Sequence, residues 1–389
     1  MFQLQRVILI TWKLLLITRI QVSLMFKKCI RSVSKKSDLI DSPKEFQITS
    51  SLKLAVLAMH PSDDKLYQKS ILNMIDGFVS NDVQVVAVSN RMIPTGLQNE
   101  MKNRGCTVII RKNVGRDFGA YKAGFRWLQE LRLINQIERL FLVNDTLIWM
   151  ESSKEIVKEC EKHTWSSMFL NFEIHTHAQS FFLSFSKEVI TNDEFQKFWE
   201  RYVPLNYRRY AIRSGEVKLT STLIDQGFIC KPYVNSNMID TINEEIMTNE
   251  LLYNYIGSTR IGRAVWSDVF SVQVSQSMEE SVHDFTGIHS LKSDAQLTDD
   301  EIRYQVVRSI GKFCYLQAPH RIGLHLYILF GLPLKADLYK CFPISEITRC
   351  VKLKNPEYAP LVDDFFARKS QVFMSGSSST RRKRMLGEI

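Results

Sequence analysis

Between residues 52 and 143, short apolar runs alternate with stretches of helical spacing, and this alternation restricts the fold more than any other feature. Leu52–Met59 (LKLAVLAM), Val83–Val88 (VQVVAV), Thr107–Ile110 (TVII) and Leu140–Val143 (LFLV) are nearly continuous apolar runs, the pattern of strands buried on both faces. Between them Asp64–Val79 repeats apolar residues at Leu66, Ile71, Ile75 and Phe78, Thr95–Arg104 predicts a second helix, and Asp117 opens a third through Leu131. Strands that alternate with helices imply a mainly parallel, doubly wound sheet. In such sheets ligands sit beyond the carboxyl ends of the strands.

The second half is mixed. Strands are expected at Ser167–Asn171 and Gln179–Phe185 and helices at Glu194–Tyr202 and Thr220–Gln226, together the other wall of a cleft. Helical spacing at Asp299–Ser309, Gly323–Phe330 and Tyr358–Ala367 predicts a smaller helical region. The chain therefore divides into an apolar, basic segment 1–37, a polar linker 38–50 containing Pro43, an α/β domain 51–275, a helical region 276–370 and a disordered basic tail 371–389.

The net charge of +10 suggests a nucleic-acid partner until it is divided along the chain. The first 37 residues carry +8 and the last nine +3, which leaves the body at −1. A groove that tracks a phosphate backbone needs its basic residues on the folded body. Charge confined to the ends instead suits an anionic membrane surface and excludes a nucleic-acid partner. Lys13 and Arg19 interrupt the first 26 residues, so a spanning helix is not expected, and two readings stand: an interfacial helix, or translation starting at Met25. Lys13 and the lack of a small-residue cleavage site argue against a signal peptide. Seven cysteines with no CxxC pair point to reduced thiols in a cytosol.

The densest chemical signal is Asn113-Val-Gly115-Arg116-Asp117-Phe-Gly119-Ala-Tyr-Lys122, between the third strand and its helix. Glycines let the backbone approach a ligand, and the following helix N-terminus offers free N–H groups to a phosphate, with Arg116 and Lys122 adding charge. The plainer reading is a strand-to-helix turn in which Asp117 caps the helix and Arg116 is solvated. The fourth strand brings Asn144-Asp145-Thr146 to the same edge, where Asp145 can hold Mg²⁺ or Mn²⁺ shared with phosphates. As a lone carboxylate it can equally be a turn residue. His60 ends the first strand there as a further donor contact or a structural hydrogen-bonding residue. His175 and His177 point the same way if that segment is extended, and His177 and Gln179 read as substrate or metal contacts. Glu216 is the first candidate for a general base, with Asp225 and Glu173 as rivals.

The runs NVGRDFGAYKAGF, LFLVNDT, HAQSFFLSF, EFQKFWERY, GEVKLTSTLIDQGF and PHRIGLHLYILFGLPLKADLY resemble, in order over about 52–370, the rhamnan synthesis protein F family of bacterial polysaccharide glycosyltransferases. More distantly the pattern is similar to the GT-A class, whose acidic motif binds a metal and the sugar diphosphate. The resemblance implies a GT-A-like, Rossmann-type sheet in 51–275 as the catalytic domain. It implies that Gly115, Arg116, Asp117 and Gly119 line the donor site and that Asn144, Asp145 and Thr146 replace the acidic motif. His177 and Gln179 would then lie beside the sugar. Thr146 stands where the family usually has Ser, and the motif holds one acid rather than two, which puts metal dependence in question.

The expectation is a rhamnosyltransferase-like hexosyltransferase that takes a sugar from a nucleoside diphosphate donor. The acceptor would be a lipid-linked or growing cell-surface polysaccharide of the O-antigen or lipopolysaccharide kind, and the enzyme would sit at the inner face of the cytoplasmic membrane. The alternative is a catalytically silent carbohydrate-binding or assembly subunit. A nicotinamide-dependent dehydrogenase is set aside, because LAMHPSDD stands where a GxGxxG would follow the first strand.

Overall fold

The computed structural model describes residues 38–46, 52–172, 175–248, 318–340 and 342–374. Its centre is an eight-stranded sheet. Strands β1 (Leu39–Asp41), β2 (Leu52–Met59), β3 (Val83–Ser89), β4 (Thr107–Arg111) and β5 (Ile137–Asn144) come from the first half. The short β6 (Leu147–Ile148) follows, then β7 (Trp165–Ser167), β8 (Leu170–Asn171), β9 (His177–Ala178), β10 (Phe182–Ser186), β11 (Lys231–Pro232) and β12 (Leu334–Lys335). The large sheet runs β1-β4-β3-β2-β5-β10-β7-β11, and its centre, β4-β3-β2-β5, is parallel.

The apolar strand runs are explained by this position. Leu54, Val56 and Ala58 of β2 join one core, under the helix α3 defined below, while Ala55, Leu57 and Met59 join a second core on the opposite face. Full burial stabilises each large side chain by roughly 1.5–3 kcal/mol, so every residue of such a strand has reason to be apolar. Helix α1 (Lys65–Val79) covers the second core with Ile71, Met74 and Phe78, and starts where the Asp64 side chain accepts the Tyr67 N–H at 3.0 Å. Helix α2 (Thr95–Asn103) follows, and α3 (Arg116–Glu130) packs Phe118, Tyr121, Phe125 and Leu128 on the first core. The other helices of eight residues or more are α4 (Lys154–Glu161), α5 (Asp193–Arg201), α6 (Lys218–Asp225), α7 (Ser236–Thr248), α8 (Gly323–Phe330), α9 (Ile344–Lys354) and α10 (Ala359–Met374), with a π-helical turn at Ala211–Val217 before α6.

The mainly parallel sheet, the flanking helices and the smaller C-terminal helical region are as the sequence led one to expect. Three details differ. Leu39–Asp41, inside the stretch read as a linker, pairs antiparallel with β4, and the Trp127 Nε1–H reaches the Pro43 carbonyl at 2.9 Å, so this polar stretch is laid against the domain. The single strand expected at Ser167–Asn171 is divided between two sheets, because Met168 and Phe169 are both buried, which strand alternation in one half-covered sheet would not allow. The strand expected at Gln179–Phe185 begins only at Phe182, with His177–Ala178 paired to β8 instead. The segment 1–37, the helix expected at Asp299–Ser309, residues 375–389 and Glu173 lie outside the described residues, whereas 371–374 continue α10.

The C-terminal region is fastened to the sheet domain next to the strand ends. β12 pairs antiparallel with β6, matching Lys335 to Leu147, and the Ala336 N–H reaches the Thr146 carbonyl at 2.9 Å. Leu324, Leu334, Ile347, Val362 and Phe366 form its core together with Leu66, Ile148 and Met150 of the first half. Among the described residues no helix is long and apolar enough to cross a membrane.

Candidate functional site

The first strand of the parallel set, β2, lies between β3 and β5, so chain direction across the sheet reverses at the β2–β5 boundary. In open α/β sheets a reversal of this kind is where ligands bind, at the carboxyl ends of the two strands. There Asp145 Oδ2 accepts the His60 N–H at 2.5 Å and the Tyr67 hydroxyl at 2.9 Å, while its own N–H reaches the Ala58 carbonyl at 3.3 Å. Its other oxygen, Oδ1, accepts no hydrogen bond from a described residue. Burial raises the Asp145 carboxyl above the usual carboxylate range; the His60 hydrogen bond pulls it down and the charge of Asp117 raises it further. Burial, then the charge of Asp145, pushes the Tyr67 phenol well above its ordinary value. The exposed His60 ring pairs through Nδ1 with Asn90 Oδ1 at 2.9 Å.

The Gly-rich turn meets this group through one side chain. Asn144, fully buried, donates from Nδ2 to Asp117 Oδ2 at 2.8 Å and accepts at Oδ1 the Thr146 N–H and hydroxyl at 3.1 and 2.5 Å. The loops around 116 and 145 are therefore joined on one edge of the sheet. Gly115, at φ 84°, packs where a Cβ would collide with Pro204, and its N–H donates to Asn206 Oδ1 at 2.5 Å. Asn206 Nδ2 in turn donates to the Asn113 carbonyl at 3.1 Å. The turn is thus braced by the 204–206 loop, and one N–H expected for phosphate is used within the protein. The Gly119 N–H likewise goes to the Gly115 carbonyl at 2.8 Å, the first turn of α3. Arg116 is exposed and sits at φ 55°, a left-handed conformation that costs a non-glycine residue about 1–2 kcal/mol. Strain of this kind collects at ligand sites.

Lys122 is not brought here. Its Nζ donates to the Glu200 and Tyr202 carbonyls at 2.8 and 2.6 Å, capping the end of α5. Six residues beyond Arg116, it stands about 240° round the helix from it.

A second group faces the first across residues 180–181. Ser180 donates its N–H and hydroxyl to Glu216 Oε1 at 3.0 and 2.7 Å, and its carbonyl accepts the Tyr121 hydroxyl at 2.7 Å. Glu216 Oε2 accepts no hydrogen bond from a described residue and lies 3.6 Å from His177 Nε2. His177 Nδ1 meets the His175 carbonyl at 2.7 Å, and since a carbonyl only accepts, this nitrogen carries the proton. His177 is buried and His175 exposed, so the two rings do not share a direction. Gly215 sets Glu216 in place, for a Cβ there would meet Phe118 ring carbons at 2.7–2.8 Å. Asp225 ends α6 as an exposed residue. Gln179 is buried, and its Oε1 has no hydrogen-bond partner among the described residues. Burial, followed by the charges of Asp117, Glu216 and Asp145, raises the Tyr121 phenol well above its ordinary value, so the two groups share one electrostatic environment.

Two residues of this neighbourhood were not singled out from the sequence. Tyr67 reads as a core residue of α1, and only the fold shows its hydroxyl on Asp145. Lys335 arrives from the C-terminal region, 6% exposed, with Nζ 3.7 Å from the Phe181 ring centroid.

Mg²⁺ and Mn²⁺ take mostly six oxygen ligands. Asp145 offers one unengaged oxygen, and no cluster of three or more His, Cys, Asp or Glu side chains among the described residues could hold a metal. An ion at Asp145 would therefore draw most of its ligands from the phosphates of a bound donor and from water, as Mg²⁺ does where a carboxylate and substrate phosphates share it.

The family model described as Rhamnan synthesis protein F matches residues 85–256, so the resemblance read from the sequence holds over the segment that carries Gly115–Asp117, Asn144–Thr146 and Glu216. Protein y4gN of Sinorhizobium fredii is 29% identical over 186 residues, 46% of this chain and 47% of its own. Virulence protein VirA of Vibrio anguillarum is 28% identical over 97 residues, 25% of this chain and 31% of its own. The chain thus spans about half the length of the first of these relatives and about a third of the second. Similar solved structures include the mannosyltransferase PcManGT of Pyrobaculum calidifontis with GDP-Man and Mn²⁺, at TM-score 0.28 and 9% identity over 75% of this chain and 93% of that one. Another is S. aureus TarS 1–349 with UDP-GlcNAc, at TM-score 0.26 and 10% identity over 82% and 92%. Likeness at this level decides nothing about activity, and the fold assignment rests on the strand order itself.

Proposed function

We propose that the chain is a GT-A-like glycosyltransferase that moves a sugar, rhamnose being the first candidate, from a nucleoside diphosphate donor to a lipid-linked or growing polysaccharide. The observation that carries this reading is the Asn144–Asp117 hydrogen bond, which joins the Gly-rich turn to the end of β5 at the sheet's reversal point. The family match over 85–256 supports it.

In this reading the donor lies along the strand ends. Asp145 Oδ1 accepts from its hydroxyls, the exposed Arg116 meets a phosphate, and Gln179 Oε1 gains the donor it lacks. Glu216 Oε2, the carboxylate oxygen left unengaged, takes the proton of the acceptor hydroxyl, and Ser180 holds the carboxylate through Oε1. His177 orients it. The basic chain ends would hold the enzyme at an anionic membrane face, near a lipid-linked acceptor, on the cytoplasmic side.

Purified protein incubated with a panel of nucleoside diphosphate sugars, dTDP-rhamnose first, should release nucleoside diphosphate when a polyprenyl-diphosphate-linked saccharide is supplied. A protein that binds saccharide and turns over none of these donors would instead be the silent assembly subunit.

A further inference from the structure

Lys335 is the feature this mechanism leaves unused. It is buried, yet among the described residues its ammonium makes no hydrogen bond or ion pair; its one close partner is the face of the Phe181 ring. Asp337, the carboxylate that acts on it most strongly, already holds His320 Nε2 and Lys340 Nζ, each at 2.9 Å. An ammonium withdrawn from water without a direct ion pair is costly, and a fold that keeps one there leaves room for an anion to contact it.

The position of Lys335 is fixed by backbone contacts that do not depend on its charge. β12 pairs Lys335 with Leu147, three residues after Asn144, and the Ala336 N–H holds the Thr146 carbonyl. Phe181, beneath the ammonium, accepts the Asn144 N–H at its carbonyl at 3.2 Å, and the preceding Ser180 holds Glu216. Lys335 therefore sits where the group around Asn144 and the group around Glu216 meet.

We propose that the Lys335 ammonium binds the diphosphate of the donor and meets the charge that develops on it, an inference that rests on the glycosyltransferase reading above. As the bond from the sugar carbon to the diphosphate oxygen breaks, its electron pair goes to that oxygen, facing the ammonium. The acceptor oxygen bonds to the sugar carbon, and its proton passes to Glu216 Oε2. Lys335 supplies this positive charge from the C-terminal region.

Burial lowers the Lys335 pKa to about 8, against the opposing pull of Asp337, and with Asp117 and Glu216 raising it and Arg208 lowering it. Ordinary carboxylates and guanidinium groups titrate outside the window from pH 7 to 9.5. If only the protonated lysine binds, affinity follows the protonated fraction. It then falls about 30-fold from pH 7 to 9.5 for a group titrating near 8.

The test is calorimetric titration of wild-type protein, Lys335→Met and Lys335→Arg with UDP, GDP and dTDP in EDTA, alongside the matching nucleosides. Expected is binding of at least one diphosphate by wild type, weakened about tenfold or more in Lys335→Met, largely restored in Lys335→Arg, with nucleoside affinity unchanged. Wild-type affinity for the same diphosphate, taken relative to its nucleoside, should drop over pH 7–9.5 as above, and Lys335→Arg, whose guanidinium stays charged throughout, should lose that drop. Less than about fivefold loss in a folded Lys335→Met, or one pH profile shared by wild type and Lys335→Arg, overturns the role of Lys335 while leaving the enzyme reading intact. Failure of wild type to bind any of the three overturns both.

Discussion

The two groups that face each other across Ser180 and Phe181 are built differently. Around Asp145 one carboxylate oxygen is open and the other polar atoms are used within the protein: His60 and Tyr67 on Oδ2, Asn144 on Asp117, Asn206 on Gly115. Around Glu216 two charged groups are open, with one carboxylate oxygen and the Lys335 ammonium lacking hydrogen-bond partners among the described residues. The difference teaches that the strand-end motif, the most visible in sequence, chiefly shapes the crevice, while groups delivered later in the chain are free to act in it.

If that division is right, the largest effect belongs to Glu216→Gln. The amide keeps an oxygen for Ser180 but loses the proton acceptor, so transfer should fall about 10²–10⁴-fold while donor affinity stays close to wild type, checked by initial rates beside calorimetry. Equal losses of rate and affinity would erase the distinction between the groups. Asp145→Asn should come next. Its carbonyl can serve His60 and Tyr67, placing an NH₂ where Oδ1 faced the donor, and transfer should drop roughly 10–100-fold. Stability should move the other way. Because burial raises the folded-state pKa of Asp145, folding disfavours its ionised form, and this carboxyl's contribution is lost as pH rises through that value. At pH 7 the asparagine variant should melt higher, by differential scanning calorimetry. The smallest effect is expected from Lys122→Met, which removes the cap on α5 at a cost of about 1 kcal/mol and leaves transfer unchanged. A loss of activity there would return Lys122 to the donor site.

What the sequence reveals follows from how local the cause is. His60, Asn144 and Asp145 are legible because each follows directly on an apolar strand run, and parallel strands present their ends together. Glu216 is legible only as a carboxylate before a short helix; its hold on Ser180 depends on a π-helical turn that no periodicity marks. Lys122 misleads because its spacing from Arg116 puts it on another face of α3, a point that helix geometry alone could have caught. Lys335 lies 190 residues after Asp145, in LPLKADLY, and nothing local says that this segment pairs with Leu147–Ile148. Charge that reaches a site through a two-residue ladder between distant segments leaves no pattern in either.

The central claim is that the turn around Arg116 and the end of β5 form one seat for a diphosphate. A crystal structure of the protein soaked with the nucleoside diphosphate that binds in calorimetry would test it most directly. The account predicts phosphate density bounded by Arg116, the Asn144–Thr146 segment and Lys335; the diphosphate lying elsewhere, with that crevice closed by side chains, would contradict it.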